Sequence, residues 1–157
     1  MIKQKINLIG GGFQHSPSTS GFDDNLYVEW VKEGTTAPIS MYVDHAIPNK
    51  VNPNTKNYAW LSESKTIIPQ YYEWCKNNIG FLKENYIKVF THDVELSKVS
   101  DIFCLVQCSM KSFLNANDYQ IYKKTKLVSM IASNKTACDE HKYRQNIVQK
   151  YLGKCDL

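Results

Sequence analysis

The chain has 157 residues, enough for one domain with its own core, and its 43% hydrophobic and 22% charged residues are those of a globular rather than a disordered protein. No apolar stretch approaches the roughly 20 residues that cross a bilayer, and the short run ending at Ile9 is too brief for a signal peptide. The net charge of +4 is uneven: residues 123–157 hold eight basic groups against three acidic ones, a net of +5, which leaves residues 1–122 at −1.

Short apolar runs alternate with amphipathic stretches, the pattern of a parallel sheet built from βαβ units, so an α/β, Rossmann-like fold with flanking helices is expected. Lys5–Ile9 predicts a first strand entering Gly10-Gly11-Gly12. Residues 24–33 read as a helix with Leu26, Trp30 and Val31 on one face, although Tyr27-Val28 keeps a strand open. Ile39–Val43 predicts a second strand, followed by a Pro/Asn-rich loop through Asn57, and Tyr58–Leu61 a third. Pro69 suits a first helical turn, and Tyr71, Tyr72, Cys75 and Ile79 then recur at helical spacing.

Ile87–Phe90 and Ile102–Val106 predict further buried strands, with a short helix over Asp93–Val99 between them. Ser109–Tyr122 is polar and irregular and reads as a linker. Leu127–Ala132 predicts a strand ending in Ser133-Asn134-Lys135. Thr136-Ala137-Cys138-Asp139 has the capping-box pattern, which starts a helix there; Tyr143, Ile147, Tyr151 and Leu152 form its apolar face and Gly153 ends it.

The five cysteines are odd in number and scattered, which fits reduced thiols in a cytoplasmic protein better than a disulfide framework. Cys104 and Cys108 share a segment, but no second pair accompanies them as a zinc site would require. The basic end suits either an anionic ligand or a solvated lysine-rich surface. Nucleic acid is not expected as a partner, because acids interrupt the basic groups and Arg144 is the only arginine.

Several residues could carry chemistry. The triplet Gly10–Gly12 is either a tight turn or a loop that brings backbone close to a ligand, and Gly11, Gly12 and His15 would then line a substrate cleft. Asp44-His45 stands at a strand end, where ligands gather in open α/β sheets; Asp44 caps its loop or the pair does acid–base work. His92-Asp93 reads as a helix cap before it reads as a catalytic pair. Glu63 follows the third strand, where its carboxylate would either cap and face solvent or take a proton from a sugar hydroxyl. Ser133, Asn134 and Lys135 precede a helix whose free N–H groups suit an anion, and Arg144 within it can add a bidentate donor to a diphosphate.

Two stretches together resemble the fucosyltransferases of glycosyltransferase family ten. One is Lys124-Thr125-Lys126-Leu127-Val128-Ser129-Met130-Ile131-Ala132-Ser133-Asn134-Lys135 with Arg144 following, a strand ending in Ser-Asn that leads to an arginine-bearing helix; the other is Tyr58-Ala59-Trp60-Leu61-Ser62-Glu63-Ser64. The resemblance implies two Rossmann-like domains facing a cleft: residues 1–110 on the acceptor side, a linker over 111–124, and the start of a donor domain over 125–157. It also implies an inverting transfer from a GDP-sugar to a glycan hydroxyl, with Glu63 as base, Ser133, Asn134, Lys135 and Arg144 at the donor diphosphate, and both Glu63 and Arg144 facing one groove. No permanently bound cofactor and no metal is expected. The family's remaining donor-site motif would fall beyond residue 157, so the chain is expected to be a fragment or a short relative without transfer activity, with a second chain completing the donor domain. The other expectations are a non-catalytic α/β module that binds a glycan or a partner protein, and a GDP-binding regulatory domain.

Overall fold

Strands buried on both faces of a sheet are near-continuous apolar runs, and parallel strands need crossovers that put helices on those faces. Six such strands form one sheet: β1 (Gln4–Ile9), β2 (Val28–Lys32), β3 (Ile39–Val43), β4 (Lys56–Trp60), β5 (Val89–Thr91) and β6 (Phe103–Leu105). Their order is β2-β1-β3-β4-β5-β6 and every neighbouring pair is parallel, a Rossmann-like arrangement. The computed structural model describes residues 2–10, 27–32, 36–106, 123, 125 and 132–153. The chain divides into two units, Met1–Lys111, which contains the sheet, and Ser112–Leu157.

Residues 28–32 are a strand and not the helix expected over 24–33. Val28, Trp30 and Val31 are residue types that fit a pleated surface, and the parallel register from Gln4↔Val28 to Leu8↔Lys32 gives their backbone groups partners on β1. Long-range pairing overrides a spacing that also matches a helical face.

The helical side of the first unit consists of α1 (Pro69–Asn77), α2 (Ile79–Asn85) and α3 (Val94–Ser97). Pro69 occupies the first turn of α1, where its missing N–H leaves no bond unmade. One continuous helix was expected to reach Ile79, but the chain breaks at Asn78. The Asn78 N–H turns to the Cys75 carbonyl, and the Asn78 side chain donates at 2.8 Å to the Trp74 carbonyl that the broken ladder leaves open. Tyr72, Cys75, Leu82 and Leu96 then pack with Tyr42, Ala59, Leu61, Val89 and Phe103 in one buried cluster.

The connection from β3 to β4 carries no α-helix, and side chains hold it. The Tyr86 hydroxyl donates to the Ile47 carbonyl at 2.8 Å, the Tyr42 hydroxyl accepts from the Asn52 N–H at 2.8 Å, and the two tyrosine rings meet edge to face. The Thr55 hydroxyl lies 3.0 Å from the Ser40 Oγ and 2.7 Å from the Asn57 Oδ1, tying the loop to the starts of both strands.

In the second unit α4 spans Asp139–Tyr151. It begins two residues later than the capping box at Thr136 implies: Cys138 is its N-cap and its side chain caps no helix N–H, while Asp139 pairs with Lys142 at 3.1 Å instead of reaching back. Gly153 has φ +74° directly after the C-cap Leu152, the left-handed residue that stops a helix. No residue of α4 is buried, and Tyr143 of its expected apolar face is 66% exposed. The expected linker and residues 127–131 of the expected strand lie outside the described residues. Among the described residues no helix is long and apolar enough to cross a membrane.

Candidate functional site

In an open parallel sheet, ligands bind beyond the carboxyl ends of the strands, first of all where the strand order reverses. Here that point lies between β1 and β3. Gly10 leaves β1 with φ +102°, and a Cβ on it would stand 2.6 Å from the Val43 carbonyl oxygen and 3.0 Å from the Ala46 Cβ. The first glycine of the triplet is therefore a close backbone approach onto the exit of β3, which only glycine permits. Gly11, Gly12 and His15 lie outside the described residues.

At the exit of β3 the chain makes a 3-10 turn over Asp44–Ala46. Asp44 is buried and has φ +48°, whereas His45 is exposed. The Asp44 carboxylate accepts from the Ser62 N–H at 2.8 Å, from the Ser62 hydroxyl at 2.6 Å and from the Glu63 N–H at 3.4 Å. Of the two roles open to Asp44 from the sequence, the geometry gives it the cap, and the loop it caps is the one that carries Glu63.

Glu63 itself is exposed, just beyond the end of β4. Its carbonyl accepts from the Tyr72 hydroxyl of α1 at 2.8 Å. The same hydroxyl lies 3.5 Å from Nε2 of His92, which follows β5, and the two rings meet edge to face. His92 Nδ1 is buried and has no hydrogen-bond partner among the described residues. Asp93 caps α3, accepting from the Leu96 N–H at 2.8 Å, as the His92-Asp93 sequence predicts.

The contact between Tyr72 and His92 is what the sequence does not announce, although each residue is visible in it singly. Tyr72 belongs to a core-facing helical stripe, and His92 follows β5, whose place beside β4 is set by the pairing of Trp60 with Phe90. Beside them a small cleft of about 70 Å³ is lined by Lys65, Tyr72, Glu73, Lys76, Glu95, Leu96 and Val99. That holds a few water molecules, whereas pockets for drug-sized ligands run to roughly 300–1,000 Å³. Cys75, under the same corner, is fully buried, and its thiol is pushed up to about 12 by burial first and by the Asp44 charge second.

In the second unit Ser133, Asn134 and Lys135 are exposed ahead of α4, and Gln145 donates to the Ser133 carbonyl. Arg144 is half-buried, more than one turn into α4. The helix start already meets negative charge. Asp139 and Glu140 stand in its first turn, and the Glu140 carboxyl is held below its ordinary range by the Glu140 backbone N–H and then by the Cys138 thiol. A diphosphate arriving there competes with a resident carboxylate for the same donors. Glu63 and Arg144 belong to different units.

Among the described residues no group of three or more His, Cys, Asp and Glu side chains gathers as metal ligands would. Cys75, Cys104 and Cys138 are free thiols, and Cys108 lies outside the described residues. In comparisons with known proteins, no family model, no curated protein and no solved structure matches this chain.

Proposed function

We propose that this chain belongs to a cytoplasmic inverting glycosyltransferase of the fucosyltransferase type, with residues 1–110 on the acceptor side and residues 125–157 on the donor side. The observation that carries the reading is an exposed carboxylate, Glu63, beyond the carboxyl edge of a parallel sheet on a segment whose backbone is bonded on both sides. Glu63 takes the proton of an acceptor glycan hydroxyl as that oxygen attacks the anomeric carbon of a GDP-sugar. The bond to the GDP oxygen breaks on the opposite face, so one displacement inverts the centre. Arg144 compensates the charge that builds on the departing diphosphate, with Ser133, Asn134 and Lys135 beside it. Nothing in this step requires a metal.

The alternative is a non-catalytic module that holds a glycan or a partner protein on its surface, for which the exposed Glu63 loop, pinned from Asp44 and Tyr72, is a ready platform. Calorimetric titration with GDP and GDP-fucose, repeated on Arg144→Ala, separates the two. The transferase reading expects saturable binding that weakens about tenfold or more in the variant, equivalent to one lost charged hydrogen bond. Glycan binding without any heat from GDP would leave only the binding module.

A further inference from the structure

We infer that Asp44 is a positioning residue, which fixes the main chain at Ser62 and Glu63 and so sets the direction of the Glu63 carboxylate. This rests on the reading of Glu63 as the group that meets the acceptor. Among the described residues Asp44 is the only non-glycine with positive φ, +48°. Few side chains adopt that region, Asn and Asp most readily, and such backbone persists only where its surroundings over-determine it.

Here the carboxylate does so. It is buried, and all three of its bonds go to consecutive residues of a loop 18 and 19 positions away. From the other side, the Tyr72 hydroxyl holds the Glu63 carbonyl at 2.8 Å. With N–H and C=O both engaged by separate elements, Glu63 keeps only its side-chain torsions free while its carboxylate stays exposed. Tying two strand exits together needs one bond. Three bonds converging on the residues at and just before an exposed acid fix an orientation as well.

Two substitutions separate the carboxylate from the backbone. Asp44→Gly tolerates the positive φ but removes every acceptor. Asp44→Asn also tolerates it, keeps one acceptor oxygen, and can donate its amide to the Ser62 hydroxyl. Each variant is followed by amide hydrogen exchange at Ser62 and Glu63 and, in the complete enzyme, by kcat and KM for transfer from GDP-fucose, beside Glu63→Gln. The expected result is a kcat loss on the order of 100-fold in Asp44→Gly at little-changed KM. Amide protection should fall at Ser62 and Glu63 alone, and both effects should be largely recovered in Asp44→Asn. Wild-type kcat in Asp44→Gly overturns the inference if Glu63→Gln is inactive. If Glu63→Gln turns over normally, or the wild type transfers nothing, the catalytic reading fails by itself and exchange alone decides. Protection lost locally in Asp44→Gly and restored in Asp44→Asn then sustains the positioning role; unchanged or sheet-wide protection overturns it.

Discussion

Replacing Gly10 with alanine tests the packing at the point where the strand order reverses. The new methyl carbon would lie 2.6 Å from the Val43 carbonyl oxygen and 3.0 Å from the Ala46 Cβ, at φ +102°. Left-handed backbone costs an L-residue roughly 1–2 kcal/mol, and forcing a carbon into filled space typically about 1–3 kcal/mol more, so a loss of about 2–5 kcal/mol is expected. Against a typical total of roughly 5–15 kcal/mol that is a large fraction. All three tryptophans, Trp30, Trp60 and Trp74, lie in the first unit, so their fluorescence during urea unfolding reports on the sheet that contains Gly10. Gly80 provides the contrast within the same unit: it lies in α2 with nothing within 4 Å of an added Cβ and no positive φ. Gly80→Ala should stabilise by about 0.5–1 kcal/mol. If Gly10→Ala shifts the midpoint by less than about 0.5 kcal/mol, or in the same direction as Gly80→Ala, the close-approach argument is wrong.

Two other outcomes follow from groups near the sites. Cys75 is raised from 9.0 to about 12 by burial, so above pH 9 the unfolded chain releases a proton that the folded one keeps. Its contribution is complete below pH 9 and is lost as the pH climbs toward 12; Tyr86, raised by burial from 10.0, acts in the same sense. Urea midpoints should therefore fall from about pH 9 upward and fall less steeply in Cys75→Ala, and a flat profile would contradict the burial account. Glu140 occupies donors at the start of α4 that a diphosphate would use. Glu140→Gln should tighten GDP binding by calorimetry, by about threefold to tenfold, and unchanged affinity would remove the helix start from the donor site.

What the sequence made legible depended on how local the deciding interaction is. The strands at Ile39–Val43 and near Tyr58 are apolar runs of strand length between turn residues, and Pro69, Asp93 and Gly153 act within their own turn of helix. Residues 28–32 misled because Leu26, Trp30 and Val31 satisfy two periods at once, and only the distant partner β1 decides between them. The stripe Tyr72, Cys75, Ile79 continues at helical spacing straight through Asn78, so the break there leaves no mark in the pattern. Thr136 matched a capping box whose acid, Asp139, found Lys142 closer to hand.

The site followed the same rule. Glu63 and Asp44 could be picked out singly, each at a strand end. Their connection depends on the register of β3 against β4, and the approach of Tyr72 to His92 on that of β4 against β5, neither of which local sequence specifies. Strand ends were visible one at a time; the corner they build together was not.

Sugar transfer from GDP-fucose to a glycan acceptor, measured in the complete enzyme for the wild type and for Glu63→Gln, bears most directly on the role given to that carboxylate. General-base assistance contributes about 10²–10⁴-fold, so the substitution should lower kcat by that factor while GDP affinity and the urea midpoint stay near wild type. Equal turnover in the two proteins, or none in the wild type, would contradict it.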